Sequence, residues 1–359
     1  MISQLPHVVS PAAGAAVRRR ILPALLLSLG VPALAGAQPF DLTGTRAQGM
    51  AGAFVAVADD ASATWWNPAG LPNSFIVDAV IDFQSSQFTD RRETPIPEQE
   101  PALRTGAAGV AFAFPALGVS YYRVRQSAVV PATGAADPGR QDPGTAQSAR
   151  SLLTHQVGLS VAQSLGDALT IGATARLVRG RVGVARFPSA VGPDAALDAV
   201  ADADSHGTTK ADLDVGALLR VSRIRIGLAA RNLAAPEFTA PDGSPWQVER
   251  AVRVGAAFVS EAARAGRQSW VVALDADLTT TTTTAGDRRD VALGAERWFH
   301  ERRVGVRGGL RASTAGEARP SASAGASVAL AGGVWIEAEG TGGGESTTRG
   351  WGVSAHVMF

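Results

Sequence analysis

Cysteine is absent from the 359 residues, which excludes disulfides, thiolate metal sites, iron–sulfur clusters and thiol nucleophiles together. Lysine is almost absent: Lys210 stands alone among 33 basic residues, the others being arginine, a bias that reads as coding preference and not as a binding surface. An excess of either sign is missing too. Against 32 acidic residues the net charge is +1, so the chain lacks the basic surplus that nucleic-acid binding uses. Charged residues are scarce at 18%, whereas glycine is plentiful at 40 residues. Beyond the N-terminus no apolar run is long enough to be a membrane-spanning helix. Histidines are few and scattered, and no pair among His7, His155, His206, His300 and His356 has a metal-ligand spacing. Neither His155 nor His356 lies in a nucleophile motif. No catalytic residue, metal ligand or cofactor site is therefore assigned, and the chain is not read as an enzyme. Gly342-Gly343-Gly344 lacks the lysine of a phosphate loop and reads as a flexible turn. The acidic stretch Asp194, Asp198, Asp202 and Asp204 lacks the spacing of a calcium-binding helix–loop–helix, so a solvated loop is preferred to a calcium site.

What is present begins with an address. Arg18, Arg19 and Arg20 precede an apolar stretch from Ile21 to Leu34, which ends at Ala35-Gly36-Ala37 before the chain turns polar at Gln38. A positive region, a short apolar core and a small-residue site make residues 1–37 a predicted secretory signal peptide. Pro23 and Pro32 inside the apolar stretch argue against a spanning helix.

From about residue 74 to the end, one theme recurs. Leu169, Ile171, Ala173, Ala175 and Leu177 alternate with Thr170, Gly172, Thr174 and Arg176, and Trp351, Val353, Ala355, Val357 and Phe359 with Gly352, Ser354 and His356. Period-two alternation predicts strands with one apolar and one polar face, and about fourteen such segments follow one another. Their connections alternate in length. Polar, Gly/Pro-rich loops are expected at Thr89–Thr105, Ser127–Arg150, Gly183–Lys210, Leu233–Glu249 and Thr279–Asp287, the last with its threonine run. Tight links stand between them at Pro115-Ala116-Leu117, Leu165-Gly166-Asp167, Ser222-Arg223 and Ala331-Gly332-Gly333. Long connections at one end and short ones at the other are the mark of an outer-membrane barrel. A soluble β-sandwich shows the same alternation, but not that asymmetry together with an export signal. Lipid offers no backbone partners, so a sheet can span it only when closed. The final strand ends at Phe359, an aromatic terminus of the kind the barrel-assembly machinery of Gram-negative bacteria prefers. Trp246, Trp270, Trp298, Trp335 and Trp351 lie near strand ends and are expected in the interfacial girdles.

Between signal and barrel runs Thr45-Arg46-Ala47-Gln48-Gly49-Met50-Ala51-Gly52-Ala53-Phe54-Val55-Ala56-Val57-Ala58-Asp59-Asp60, and then Trp65-Trp66-Asn67-Pro68-Ala69-Gly70-Leu71. This phrase resembles the N-terminal segment of the FadL superfamily of outer-membrane barrels, which holds hydrophobic-compound transporters, PorV/PorQ secretion proteins and TraF-like relatives. The resemblance covers the mature chain. It implies an all-β fold: a transmembrane antiparallel β-barrel of about 14 strands over 74–359, with residues 38–73 as a plug in the lumen.

The residues make physical sense beside the resemblance. Gly49 and Gly52 permit close backbone approach, Asp59 and Asp60 can cap a short helix over Ser62–Trp66, and Asn67-Pro68 breaks it. A plug would set the two aspartates among lumen-facing arginines, for which Arg176, Arg220, Arg225, Arg231, Arg253 and Arg307 are the candidates. Gly49, Gly52, Asp59, Asp60, Asn67 and Pro68 then form either a gate that moves with ligand or a static filler. The function implied is passive outer-membrane transport of hydrophobic, fatty-acid-like small molecules. The alternative is a PorV-like, non-conducting barrel that partners exported proteins. The expected partners are membrane lipids, a hydrophobic ligand or an exported protein, and the assembly machinery through Phe359. Nucleic acid is not among them.

Overall fold

A computed structural model describes residues 42–74, 76–90, 102–130, 146–188, 191–203, 206–260, 269–283, 286–344 and 346–359. The signal-peptide reading of residues 1–37 lies outside them. Fourteen strands close into one antiparallel barrel, each paired with its neighbours in the chain. They are β1 (Asp78–Asp90), β2 (Ala102–Phe114), β3 (Leu117–Val130), β4 (Ala146–Leu165), β5 (Leu169–Pro188), β6 (Gly207–Val221), β7 (Ile224–Arg231), β10 (Ala251–Val259), β11 (Trp270–Asp277), β14 (Asp290–Phe299), β15 (Val304–Ser313), β16 (Ser321–Ala331), β17 (Val334–Gly343) and β18 (Ser346–Met358). Two small hairpins, β8 (Glu237–Thr239) with β9 (Pro245–Gln247) and β12 (Thr281–Thr283) with β13 (Gly286–Arg288), stand at the long-loop end. The helices are short: α1 (Thr45–Gly49), α2 (Ala63–Trp66) and α3 (Pro193–Ala201), with a 3-10 turn over Pro68–Asn73.

The alternation resolves into an outside and an inside. Ile171, Leu177, Leu228, Leu274, Leu293 and Val353 are among the large apolar side chains left exposed, while Asp82, Thr174, Arg176, Glu296 and Ser354 on the opposite face are buried. A water-soluble sheet would bury the first set. Here the burial is inverted, as a lipid-facing wall requires. The ring closes where β1 pairs with β18 from Asp78↔Met358 to Asp90↔Ser346. Val77 and Phe359 extend that seam, each donating its N–H to the other's carbonyl at 3.1 and 2.9 Å.

Several strands outrun the sequence reading. β4 and β5 are 20 residues each, paired from Leu165↔Leu169 to Ala146↔Pro188, about twice what tilted strands need to cross hydrocarbon. The loops expected at 127–150 and 183–210 are therefore partly strand. Both faces of the projecting sheet find apolar cover, which explains the extension. Phe238, Trp246 and Val248 from the β8–β9 region pack on Leu152, Val178 and Val182. Helix α3 lays Ala196, Leu197 and Val200 over Ala102, Val129 and Ala149. Asp194 and Asp198 on that helix pair with Arg104, so they serve as latches for α3. Among the described residues no cluster of metal-ligating side chains occurs, and Asp204 lies outside them. The threonine run forms β12 over Thr281–Thr283.

The five tryptophans expected in the girdles divide into two that face outward and three that do not. Trp270 and Trp351 are exposed on the outer face. Trp246 is buried with the β8–β9 hairpin, Trp298 points inward to donate to Glu296, and Trp335 donates to the Arg302 carbonyl at the short-turn rim. Each of these three indoles has polar or packing partners that the lipid interface would not supply.

The lipid-facing assignment is testable at Leu274, mid-strand and 51% exposed. Leu274→Arg is expected to lower the unfolding free energy of the refolded barrel by about 2–4 kcal/mol. Leu274→Ile, which keeps the lipid-facing surface apolar, should change it by less than about 1.5 kcal/mol, both read from guanidinium titration.

Candidate functional site

The lumen is occupied. Residues 42–71 are buried almost without interruption, and their backbone runs against the inner wall at positions where the wall has no side chain. A Cβ on Gly216 would come within 2.0 Å of the Asn67 Oδ1, and one on Gly294 within 2.6 Å of the Met50 carbonyl oxygen. Gly172 meets Pro68, Gly227 meets Val55 and Gly309 meets Met50 in the same manner. These glycines form a seat cut to the plug's main chain.

Carboxylates of the wall hold the plug by its amides. Asp82 on β1 accepts from the Gly44 N–H (3.0 Å), the Thr45 N–H (2.8 Å) and the Thr45 hydroxyl (2.5 Å). Asp275 on β11 accepts from the N–H groups of Phe54 and Val55 at 2.9 and 2.8 Å. Asp78 accepts from the Ala61 N–H at 2.9 Å and lies 3.0 Å from the His356 Nε2. Each contact satisfies a donor that burial would otherwise strand.

At the centre sits Arg46 on α1. Its Nε and Nη2 engage Glu296 on β14 at 2.6 and 2.9 Å, and its Nη1 reaches Asp59 at 2.7 Å and Asp60 at 2.9 Å. One guanidinium thus ties both ends of the plug's first half to the wall. Burial would lift the Asp59 carboxyl, but Arg46, with Arg225 behind it, outweighs that and holds its pKa at about 2.

All six arginines singled out from the sequence face the lumen, yet they divide their work differently from the expectation. Of the six, Arg225 reaches Asp59 at 3.5 Å and the Val57 carbonyl at 3.3 Å. Arg176 is held by wall residues Asp212 and Asp214 (2.5 and 2.8 Å) and by Gln156 and Asn232. Arg231 pairs with Asp214 at 3.3 Å and lies 3.6 Å over the Trp65 ring, a cation–π contact with the plug. Arg253 pairs with Asp277 at 2.6 Å and donates to the Gly52 carbonyl at 3.3 Å. Arg307 faces Glu337 at 3.5 Å and fills the space where a Gly49 side chain would stand, 2.7 Å from its Cδ. Arg220 reaches Asn73 at the plug's end.

Within the plug, Gly52 adopts φ +85°, which only glycine takes without strain. Asp60 accepts from the Ser62 N–H at 2.9 Å just before α2, while Asp59 faces Arg46 and caps nothing. The Asn67 Nδ2 bridges the Val55 and Ala217 carbonyls (2.9 and 3.2 Å), and its Oδ1 accepts from Ala69 ahead of the 3-10 turn that Pro68 begins. Sequence reasoning missed Arg46 and Glu296. The signal for the first was legible, because Arg46 is the one cation between residues 42 and 74 and the plug holds two aspartates.

Above the plug, at the long-loop end, a vestibule of about 100 Å³ remains, floored by Leu42 and Gln48 and walled by Phe88, Ala107, Glu339 and Thr341. On the lipid side of the same wall lies an apolar groove of about 600 Å³ between β14 and β17, lined by Val291, Leu293, Leu310, Ala312 and Ala322. The two hollows share Arg311 and Ser321, so a single strand's thickness separates them.

A family model described as "F plasmid transfer operon, TraF, protein" matches residues 45–277, more than half of the chain, from α1 of the plug to the end of β11. No curated protein sequence matches. Among solved structures, the toluene transporter TbuX of Ralstonia pickettii superposes with a TM-score of 0.58 at 14% identity, over 89% of this chain and 99% of that one. The CymD monoaromatic hydrocarbon channel gives 0.59 at 12% identity, over 90% and 99%. A FadL homologue of Pseudomonas aeruginosa gives 0.55 at 12%, over 90% and 100%. At such identities the likeness establishes a shared fold, a FadL-type β-barrel.

The Arg46 hub generates a prediction. Arg46→Met removes the ion pairs to Glu296 and Asp60 and leaves Asp59 with the more distant Arg225, and it is expected to cost about 3–5 kcal/mol in guanidinium unfolding. Arg46→Lys should recover less than half, since an ammonium lacks the guanidinium fork. Because the Asp59 pKa is depressed in the fold, its stabilisation is fully present above the ordinary carboxylate pKa of about 4 and is lost as pH falls through about 2. Wild-type stability should therefore carry an acid limb between about pH 4 and 2 that Arg46→Met lacks.

Proposed function

The chain belongs to the family of F plasmid transfer operon TraF proteins, and from that premise we propose that it is an outer-membrane barrel admitting small hydrophobic compounds passively. The observation that carries this reading is the pair of hollows back to back across the β15–β16 wall, one apolar and facing lipid, the other inside the lumen above the plug. A compound that leaves water for the vestibule has an apolar surface waiting on the other side of a thin wall. No energy source enters the scheme, because transfer of an apolar solute from water to lipid runs downhill. The fold shared with structures described as toluene transporters and a monoaromatic hydrocarbon channel supports the same substrate class. In this reading residues 1–37 are removed on export, the short-turn end faces the periplasm, and Phe359 is the signal read by the assembly machinery. Gly49, Gly52, Asp59, Asp60, Asn67 and Pro68 act as closure elements, and the lumen arginines hold them in place.

The seat of glycines under the plug gives some weight to a second reading, a non-conducting barrel whose long-loop end, with α3 and its hairpins, receives an exported protein. One experiment separates the two. Vesicles with lipopolysaccharide in the outer leaflet are loaded with the mature protein, and uptake of radiolabelled toluene is followed against protein-free vesicles. Uptake at least about fivefold faster is expected, reduced to background when the wall is thickened by Ala322→Phe. Equal rates with and without protein, together with a stoichiometric exported protein on native extraction, would establish the second reading instead.

A further inference from the structure

On the outer face of β3, β4 and β5 the side chains change character at one height. Val119, Leu159 and Ala175 stand side by side in one row, and Tyr121, Val157 and Leu177 in the row above it. The next row is Arg123, His155 and Arg179, and the one after that Arg125, Leu153 and Arg181. Alternate residues of a strand are about 7 Å apart and neighbouring strands about 4.8 Å, so the four arginines spring from a rectangle of about 7 by 10 Å. Arg123, Arg179 and Arg181 are exposed and Arg125 is half-buried. Over Leu153, between Arg125 and Arg181, a hollow of about 240 Å³ opens beneath the end of α3, with Asp202 at its border. Among the described residues none of the four arginines has a carboxylate within ion-pair distance, whereas the lumen arginines Arg176, Arg253 and Arg307 all do. Like charges held side by side on a strand face repel one another, and an anion placed between them relieves that cost.

The height of the arginines says which anion. Tilted strands need about 9–11 residues to cross the hydrocarbon, and Arg179 follows Leu169, at the short turn, by that length. The quartet therefore stands at the level of the lipid headgroups, on the long-loop side. Tyr121 marks the same level, its ring on the outer face and its hydroxyl 2.8 Å from the His155 Nδ1, as an amphipathic aromatic does at a membrane interface. We propose that this face binds a phosphorylated lipid of the outer leaflet, of the lipopolysaccharide type. Its phosphate is held by Arg123, Arg125, Arg179 and Arg181, whose planar forks match phosphate oxygens, and its acyl chains run down the apolar rows. A soluble anion would use the arginines alone. A lipid also covers Val157, Leu159 and Leu177, which are exposed directly below them. Binding of this kind does not depend on transport, and the transport reading supplies only the leaflet that the long-loop end faces.

Native mass spectrometry of the mature protein in detergent, titrated with bisphosphorylated lipid A, with the same lipid stripped of its phosphates and with inorganic phosphate, tests it. Lipid A is expected to bind at least about tenfold more tightly than the stripped lipid, since only the former makes charge-assisted hydrogen bonds to the arginines. The double variant Arg123→Gln/Arg179→Gln should weaken lipid A at least about tenfold, and Arg297→Gln, an exposed arginine at the short-turn end of β14, should leave it within about twofold. An unchanged melting temperature in the double variant shows that the barrel is intact. Equal affinity for the two lipids, or lipid A indifferent to the double variant, would overturn the proposal. Inorganic phosphate bound as tightly as lipid A would make this a soluble-anion site and overturn it as well. The vesicle assay keeps the two ideas apart: lipid A bound as expected without toluene uptake removes the transport reading alone, and toluene uptake with lipid A indifferent to the double variant removes the lipid site alone.

Discussion

The seam between β1 and β18 is the constraint from which the rest of the structure follows. A sheet in lipid has no water to satisfy an edge, and a barrel that fails to close leaves two rows of backbone groups in hydrocarbon at several kcal/mol each. Here the two terminal strands pair over their full length, and Val77 with Phe359 continues the pairing to the chain's last residue. The plug reinforces that seam directly. Asp82 and Asp78, both on β1, accept hydrogen bonds from plug amides, and Asp78 also meets His356 across the seam on β18. The segment that fills the lumen therefore also staples the closure, and the plug and barrel are expected to unfold as one unit.

Closure creates an inside that must be polar where the outside must not be. Fourteen amphipathic strands bring a dense set of ionisable side chains into a space largely cut off from water. The solution is pairing almost everywhere: Arg176 with Asp212 and Asp214, Arg253 with Asp277, Arg307 with Glu337, Arg46 with Glu296. Such pairs contribute little net stability over an apolar filling, but each is costly to break singly. They make the interior specific: the plug fits in one register, because its amides and its one guanidinium must find particular carboxylates.

How far the sequence discloses this depends on the range of the interaction. Period-two alternation is local, so Leu169–Leu177 or Trp351–Phe359 can be read as strands with known faces, and the tight links at 115–117 and 222–223 mark one end of the barrel. The projecting halves of β4 and β5 are harder to see. Their outer residues are glycine, arginine and serine, a loop-like composition, and what makes them strand is apolar cover from α3 and the β8–β9 hairpin, contributed from elsewhere in the chain. The pairing of lumen charges is harder still. It depends on register and on the rotation of the plug within the barrel, which is why six arginines can be placed on the inner face while Asp59 is met by Arg225 and Arg176 by the wall's own carboxylates. The glycine seat is invisible for the same reason: Gly216, Gly294 and Gly309 look like weak strand positions until the plug's backbone is laid against them.

The energetics of the plug decide what kind of movement it can make. A solute of toluene's size has about seven heavy atoms, and the most efficient small ligands gain about 1.5 kcal/mol per heavy atom, so its whole binding energy is bounded near 10 kcal/mol. Expelling the plug would break the three hydrogen bonds to Asp82 and the two to Asp275, each about 1.5–3 kcal/mol because the acceptor is charged. It would also strand Glu296 from Arg46, at about 3–5 kcal/mol more. No small solute can drive that. A compound entering the vestibule can displace at most the part of the plug that faces it, Leu42 and the α1 turn carrying Gln48, while Asp275, Asn67 and the glycine seat stay in place. In the proposed transport, passage then runs beside the plug or through the thin β15–β16 wall, with the plug below as a fixed floor that turns the solute sideways.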